Sequence, residues 1–119
     1  MDKILSFKDL LAWQKAHELT VRIFIIFEKK NPNLRNQIER SSLSVTSNIA
    51  EGFGRSSLKD KTHFYVMARG SLFEVYSQLE VAKDTGLLSS EEYKELQELN
   101  MVSTKILHRL ISSINTKPC

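Results

Sequence analysis

Cysteine occurs once, as the last residue, Cys119. No internal disulfide framework is therefore available, and no cysteine pair can hold a metal. Two prolines and four glycines in 119 residues are few, in keeping with a compact helical protein. No stretch approaches the roughly 20 apolar residues that span a bilayer. Met1 to Lys8 lacks the apolar segment of a signal peptide, so a cytoplasmic protein without a membrane partner is expected. Catalytic signatures are missing too. There is no G-x-S-x-G elbow and no P-loop. No Glu is followed three residues later by His, as a di-iron bundle requires. His17, His63 and His108 fall on three different predicted helices without metal-ligand spacing. The chain reads as non-enzymatic, with no metal and no cofactor.

What is present is helical periodicity. The length suits one domain, residues 1–119, with a single core. Ser6-x-x-Asp9 resembles a capping box flanked by a Leu5/Leu10 staple and predicts a first helix from Ser6 to about Lys30, broken by Asn31-Pro32-Asn33. A second is expected from Leu34 to about Gly52. Ser57-x-x-Asp60 opens a third, which runs through Asp84 to a stop at Gly86. Ser89-x-x-Glu92 opens a fourth, with Leu96, Leu99, Ile106, Leu107, Leu110 and Ile114 on one face. Short connections between long helices predict an all-α, antiparallel up-down-up-down four-helix bundle. On the third helix Val66 and Phe73 project opposite the apolar stripe of Phe64, Ala68, Val75, Leu79 and Ala82. A helix apolar on two sides has neighbours on both, which points to a homo-oligomer. The bland reading is one Val and one Phe left partly exposed.

Two segments place polar or backbone-permissive residues inside apolar patterns. Gln37, Ser41, Ser44, Asn48 and Glu51 form a polar stripe on the second helix, and Ser71, Glu74 and Gln78 lie at or beside the core face of the third. The stripe is either a hydrogen-bonded network that fixes register or an oligomer seam, or it is a ligand pocket. A buried Glu74 would require a partner, for which Arg69 is the candidate. Gly70, in mid-helix, costs about 1 kcal/mol relative to Ala and suggests a close backbone approach.

The formal charge is +3, and its excess lies in the first half: residues 1–32 carry six Lys/Arg and four Asp/Glu, residues 33–57 three and two, and the remainder eight of each. Lys8, Lys15, Arg22 and Lys29 are spaced seven apart, a line about 30 Å long that could track a phosphate backbone. The alternative is a solvated helix face, interrupted by Glu18. Tyr65, Arg69 and Tyr76 share an edge that could stack on unpaired bases; burial against a neighbouring helix is the competing use.

The run Gln37-Ile38-Glu39-Arg40-Ser41-Ser42-Leu43-Ser44-Val45-Thr46-Ser47-Asn48-Ile49-Ala50-Glu51-Gly52 resembles the signature of a bacterial four-helix bundle family. Its members are encoded in intervening sequences of 23S ribosomal RNA genes and are often labelled ribosomal proteins. Phe7-Lys8-Asp9-Leu10, Trp13-Gln14-Lys15-Ala16, Gly54-Arg55 and Ala68-Arg69-Gly70-Ser71-Leu72 match further blocks in order. That family includes the accessory variability proteins of diversity-generating retroelements, which form barrel-like homopentamers and work with a reverse transcriptase and nucleic acid. The resemblance implies a homo-oligomeric bundle, expected as a pentamer, with a basic surface able to contact RNA or DNA. Glu39 stands where the pattern commonly has a basic residue, and Thr46 where Pro is frequent. The expected nucleic-acid contacts are Lys8, Lys15, Arg22, Lys29, Arg40 and Arg55. Ser44, Asn48, Glu51, Gly52, Arg69, Gly70, Ser71 and Glu74 are expected to hold the protomer and its seam. The rival expectation is an accessory subunit that binds a protein such as a reverse transcriptase.

Overall fold

Ser6 caps the first turn as its spacing predicts. Its hydroxyl accepts from the Lys8 amide at 3.2 Å, and the Asp9 carboxylate accepts from the Leu5 and Ser6 amides. In the computed structural model, which describes residues 5–115, this turn is only a 3-10 segment, Phe7–Asp9. Leu10 is then extended, and α1 spans Leu11–Phe27. The first helix is thus shorter at both ends than the Ser6–Lys30 expectation. At its start, Phe7 folds back edge-on against Trp13, with ring centroids 5.1 Å apart. At its end, the Lys30 ammonium donates to the Leu87 carbonyl at 2.8 Å and pairs with Glu92 at 3.2 Å, which ties the turn to the connection between the third and fourth helices. Met1 to Ile4 and Cys119 lie outside the described residues.

Asn31 caps α2, its side-chain oxygen accepting from the Asn33 and Leu34 amides, and Pro32 takes the first helical position, where its missing N–H is no loss. α2 therefore spans Pro32–Phe53, starting two residues before the predicted Leu34. Ser57 caps α3, Leu58–Asp84, through a bond from the Asp60 amide to its hydroxyl. The stop falls where expected: Gly86 has φ +79°, a conformation that glycine adopts without a Cβ penalty. The Ser89/Glu92 box is reciprocal, with both bonds at 3.0 Å, and opens α4, Ser90–Asn115.

Each helix packs on its sequence neighbours and α4 closes against α1, while the diagonal pairs do not meet. This is the antiparallel four-helix bundle predicted, about 50 Å long. Leu19, Ile23, Phe27, Ile38, Val45, Ile49, Leu72, Val75, Leu79, Leu96 and Leu107 are fully buried. Each such side chain contributes roughly 1.5–3 kcal/mol of transfer free energy. α2 and α3 approach closely at Gly52, where a Cβ would lie 2.7 Å from the Tyr65 ring. The close approach expected at Gly70 does not occur within the protomer. Gly70 is exposed, and a Cβ would meet nothing within 4 Å.

Candidate functional site

The polar stripe of α2 divides in two. Ser44 and Ser71 meet across the α2–α3 seam at 2.9 Å. The Asn48 amide donates to the Ser44 carbonyl at 2.8 Å and to its hydroxyl at 3.1 Å. Ser41 is buried beside them. The Ser44 and Ser71 hydroxyls contact each other and the Asn48 amide, and among the described residues neither is hydrogen-bonded to a base that would activate it as a nucleophile. Glu51, by contrast, is exposed and pairs with Arg55 at 2.9 Å, whose guanidinium lies 4.6 Å over the Phe64 ring. Glu74 is exposed as well, which corrects the expectation of a buried carboxylate needing Arg69: position 74 sits past the seam on the solvent side of α3, and Arg69 turns the other way, to α4.

A second polar cluster, which the sequence reading missed, joins α3 to α4. The Tyr93 hydroxyl and the Gln97 amide both donate to Glu80, and Lys83 pairs with Glu80 at 3.3 Å while lying 4.5 Å over the Tyr93 ring. The Tyr93 hydroxyl, more than Lys83 or Gln97, holds the Glu80 carboxyl below its ordinary range against the opposing effect of burial. Glu80 in turn pushes the Tyr93 phenol up. One turn further along, Asn100, 2% exposed, donates to the Leu72 carbonyl at 3.0 Å. The signal for this cluster was Gln97 and Asn100 at helical spacing within the apolar face of α4, where polar residues require partners.

The four cations spaced seven apart do not form one helical line. Lys8 lies in the 3-10 turn and Lys29 in the connection after α1; both are exposed. Lys15 pairs with Glu18 at 3.5 Å. Arg22 forks onto Glu95 of α4, its Nη2 3.2 Å from Oε1, and Glu95 holds the guanidinium above its ordinary range. Glu98 joins the same α1–α4 groove. Arg40 is exposed on α2.

The antiparallel topology reveals what the linear charge count hides. Residues 58–115 look neutral in sequence, yet their charges separate by end. Lys59, Lys61, Arg69, Lys105 and Arg109 share one end of the α3–α4 pair with Asp60 alone. The other end holds Glu74, Glu80, Asp84, Glu91, Glu92, Glu95 and Glu98 against Lys83 and Lys94. At the basic end, Arg69, Phe73, Thr104, Lys105, His108 and Arg109 line a groove of about 610 Å³, without a carboxylate. Arg69 Nη1 lies 3.4 Å from His108 Nδ1. Of the aromatic edge, Tyr65 is buried and unavailable for stacking, whereas Tyr76 is 44% exposed. Among the described residues no three His, Cys, Asp or Glu converge as a metal site. Within that span, too, no helix is long and apolar enough to cross a membrane.

Residues 8–109 match the model of the 23S rRNA-intervening sequence protein family. The chain belongs to that family. A similar fold appears in a crystal structure of a protein of unknown function from the S23 ribosomal protein family of Bacteroides thetaiotaomicron VPI-5482. That structure is similar to this chain with a TM-score of 0.80 and 27% sequence identity, covering 88% of this chain and 98% of the other. No curated protein matches the chain. Membership thus agrees with the resemblance carried by the Ser44 to Gly52 and Ala68 to Leu72 blocks.

Proposed function

We propose that this family member is a non-enzymatic, cytoplasmic, oligomeric bundle that binds structured nucleic acid electrostatically. The observation that carries the reading is the basic end of the α3–α4 pair, where Arg69, Lys105, His108 and Arg109 gather with no carboxylate among the groove-lining residues. Uncompensated cations on a low-dielectric surface attract phosphates. Exposed Lys8, Lys29 and Arg40 add to the field, while Lys15, Arg22 and Arg55 are already engaged by carboxylates. Self-association, expected as a pentamer, would multiply this charge. Val66, Met67, Val21, Ile25 and Leu43 are all at least 40% exposed on the single protomer, which supports association.

The test is a fluorescence-anisotropy titration of the purified protein against structured RNA and duplex DNA at low and near-physiological salt. Micromolar or tighter binding that falls steeply with salt, and that weakens in Lys105→Ala/Arg109→Ala, is the expected result. Absence of binding at low salt overturns the reading. The same exposed apolar side chains would then favour a protein-binding accessory role, with a reverse transcriptase as the partner class that the resemblance implies.

A further inference from the structure

The groove between α3 and α4 is more than a cluster of cations. A second recess of about 210 Å³, lined by Phe73, Tyr76, Asn100, Met101, Thr104 and Lys105, shares Phe73, Thr104 and Lys105 with the first. Together they make one continuous trough of a size usual for ligand clefts. Its two halves differ in chemistry. Phe73 and Tyr76 stand one turn apart on α3, 59% and 44% exposed among the described residues, and offer accessible aromatic surface. Arg69, Lys105 and Arg109 surround the other half. The floor is fixed: Asn100 donates to the Leu72 carbonyl, and the Thr104 hydroxyl donates to the Asn100 carbonyl at 2.8 Å.

Resting on the nucleic-acid reading above, we propose that this trough holds an unpaired nucleotide of single-stranded nucleic acid, the base against Phe73 and Tyr76 and the adjoining phosphates among Arg69, Lys105 and Arg109. Aromatic faces beside guanidinium and ammonium groups are the chemistry that unpaired bases and their phosphates require. A base inside a duplex presents only its edge to a groove and cannot lie on these rings. Arg69 lies 3.4 Å from His108 and meets no carboxylate in the groove lining, so its guanidinium keeps donors for a phosphate oxygen.

The test compares a 12-nucleotide oligouridine, the matching oligothymidine and a duplex of the same length, each labelled and titrated at two salt concentrations. The protein is expected to prefer the single strands. The exposed-surface variant Phe73→Ala/Tyr76→Ala is expected to lose about tenfold or more in single-strand affinity and with it that preference. Lys105→Ala/Arg109→Ala should weaken all three ligands and flatten the salt dependence. Circular dichroism and light-scattering mass of each variant, compared with the parent, identify folding and assembly effects. Equal affinity of the parent for single strands and duplex overturns the proposal. So does an aromatic variant that keeps its single-strand preference, or one whose oligomer mass changes, because the trough is then a surface between copies. If the duplex binds with a steep salt dependence while the aromatic variant behaves as parent, only this inference fails. If no nucleic acid binds, the proposed function fails with it.

Discussion

The two grooves that flank α4 are built from the same helix and end in opposite electrostatics. On the α1 side, Lys15 and Arg22 face Glu18, Glu95 and Glu98 in a recess of about 310 Å³. On the α3 side, Arg69, Lys105, His108 and Arg109 face no carboxylate at all in a groove of about 610 Å³. The cations on the α1 side are the more regularly spaced in sequence, yet their neighbours neutralise them. Glu95 is 73 positions from Arg22 and reaches it only because the bundle closes α4 against α1. Of the periodic cations only Lys15 and Arg22 share a helix face, and the facing helix decides whether that face carries a field. The two sides also differ in depth: the α1–α4 pair is half-exposed ion pairing, whereas the α3–α4 pair includes a buried amide, Asn100, bonded to the Leu72 carbonyl.

That difference in depth gives the largest expected effect. Asn100→Asp removes the amide donor and places a carboxylate beside a carbonyl in the core. The expected destabilisation at neutral pH is about 3–5 kcal/mol. Burial raises the folded-state pKa of such a carboxyl, so the lost stability returns as pH falls and the acid becomes neutral. Urea midpoints at neutral and acid pH measure both. Glu95→Gln, on the other side of the same helix, is expected to cost less than about 1 kcal/mol, as exposed pairs do. Comparable losses from the two substitutions would erase the contrast between the grooves.

The backbone of this contrast was legible in the sequence, and its surface was not. The four helices, the Ser57 and Ser89 caps, the Gly86 stop and the apolar face of α4 depend on residues at most a few positions apart, and spacing reports them directly. The Ser6 signal was also real, yet it opened a 3-10 turn, because the Phe7–Trp13 contact bends the chain before a helix can propagate. The two glycines exchanged roles for a similar reason. Local propensity marks Gly70 as costly, but only the packing of Tyr65 on α2 shows that Gly52 is the position without room. Charge was misjudged most. Residues 58–115 sum to near neutrality, and their separation into a basic and an acidic end exists only once α3 and α4 lie antiparallel. Ser44, Asn48 and Ser71 did come together, because both helices present those residues on their shared seam; Glu51 and Glu74 sit one step too far round.

A smaller effect sharpens the comparison through pH. Glu80 is held below the ordinary carboxylate range, chiefly by the Tyr93 hydroxyl, so its contribution is present above the unfolded carboxylate pKa and is lost as pH falls through the folded one. Tyr93 is raised by Glu80, so its contribution is present below the ordinary tyrosine range and is lost as pH rises through the folded value. Tyr93→Phe removes the shared bond. Its stability deficit is expected to be greatest near neutrality and to narrow at both acid and alkaline pH, read as urea midpoints against pH. Parallel curves for parent and variant would mean that the Glu80–Tyr93 bond does not link α3 to α4 in solution.

The smallest expected change reverses the α1–α4 groove. Glu18→Gln/Glu95→Gln leaves Lys15 and Arg22 in place and removes the carboxylates they meet at 3.5 Å and through the Arg22 fork. The exposed pairs contribute little to stability, so the melting temperature should hardly move. The electrostatics should move more. Two freed cations can each add about 0.9 to the slope of log affinity against log salt for duplex DNA, if both come within reach of phosphates. A steeper slope together with tighter duplex binding would show that carboxylates alone keep this side from resembling the α3 side. An unchanged slope would mean that the row of cations on α1 lies outside the path of the nucleic acid, and that the basic end of α3 and α4 carries the interface by itself.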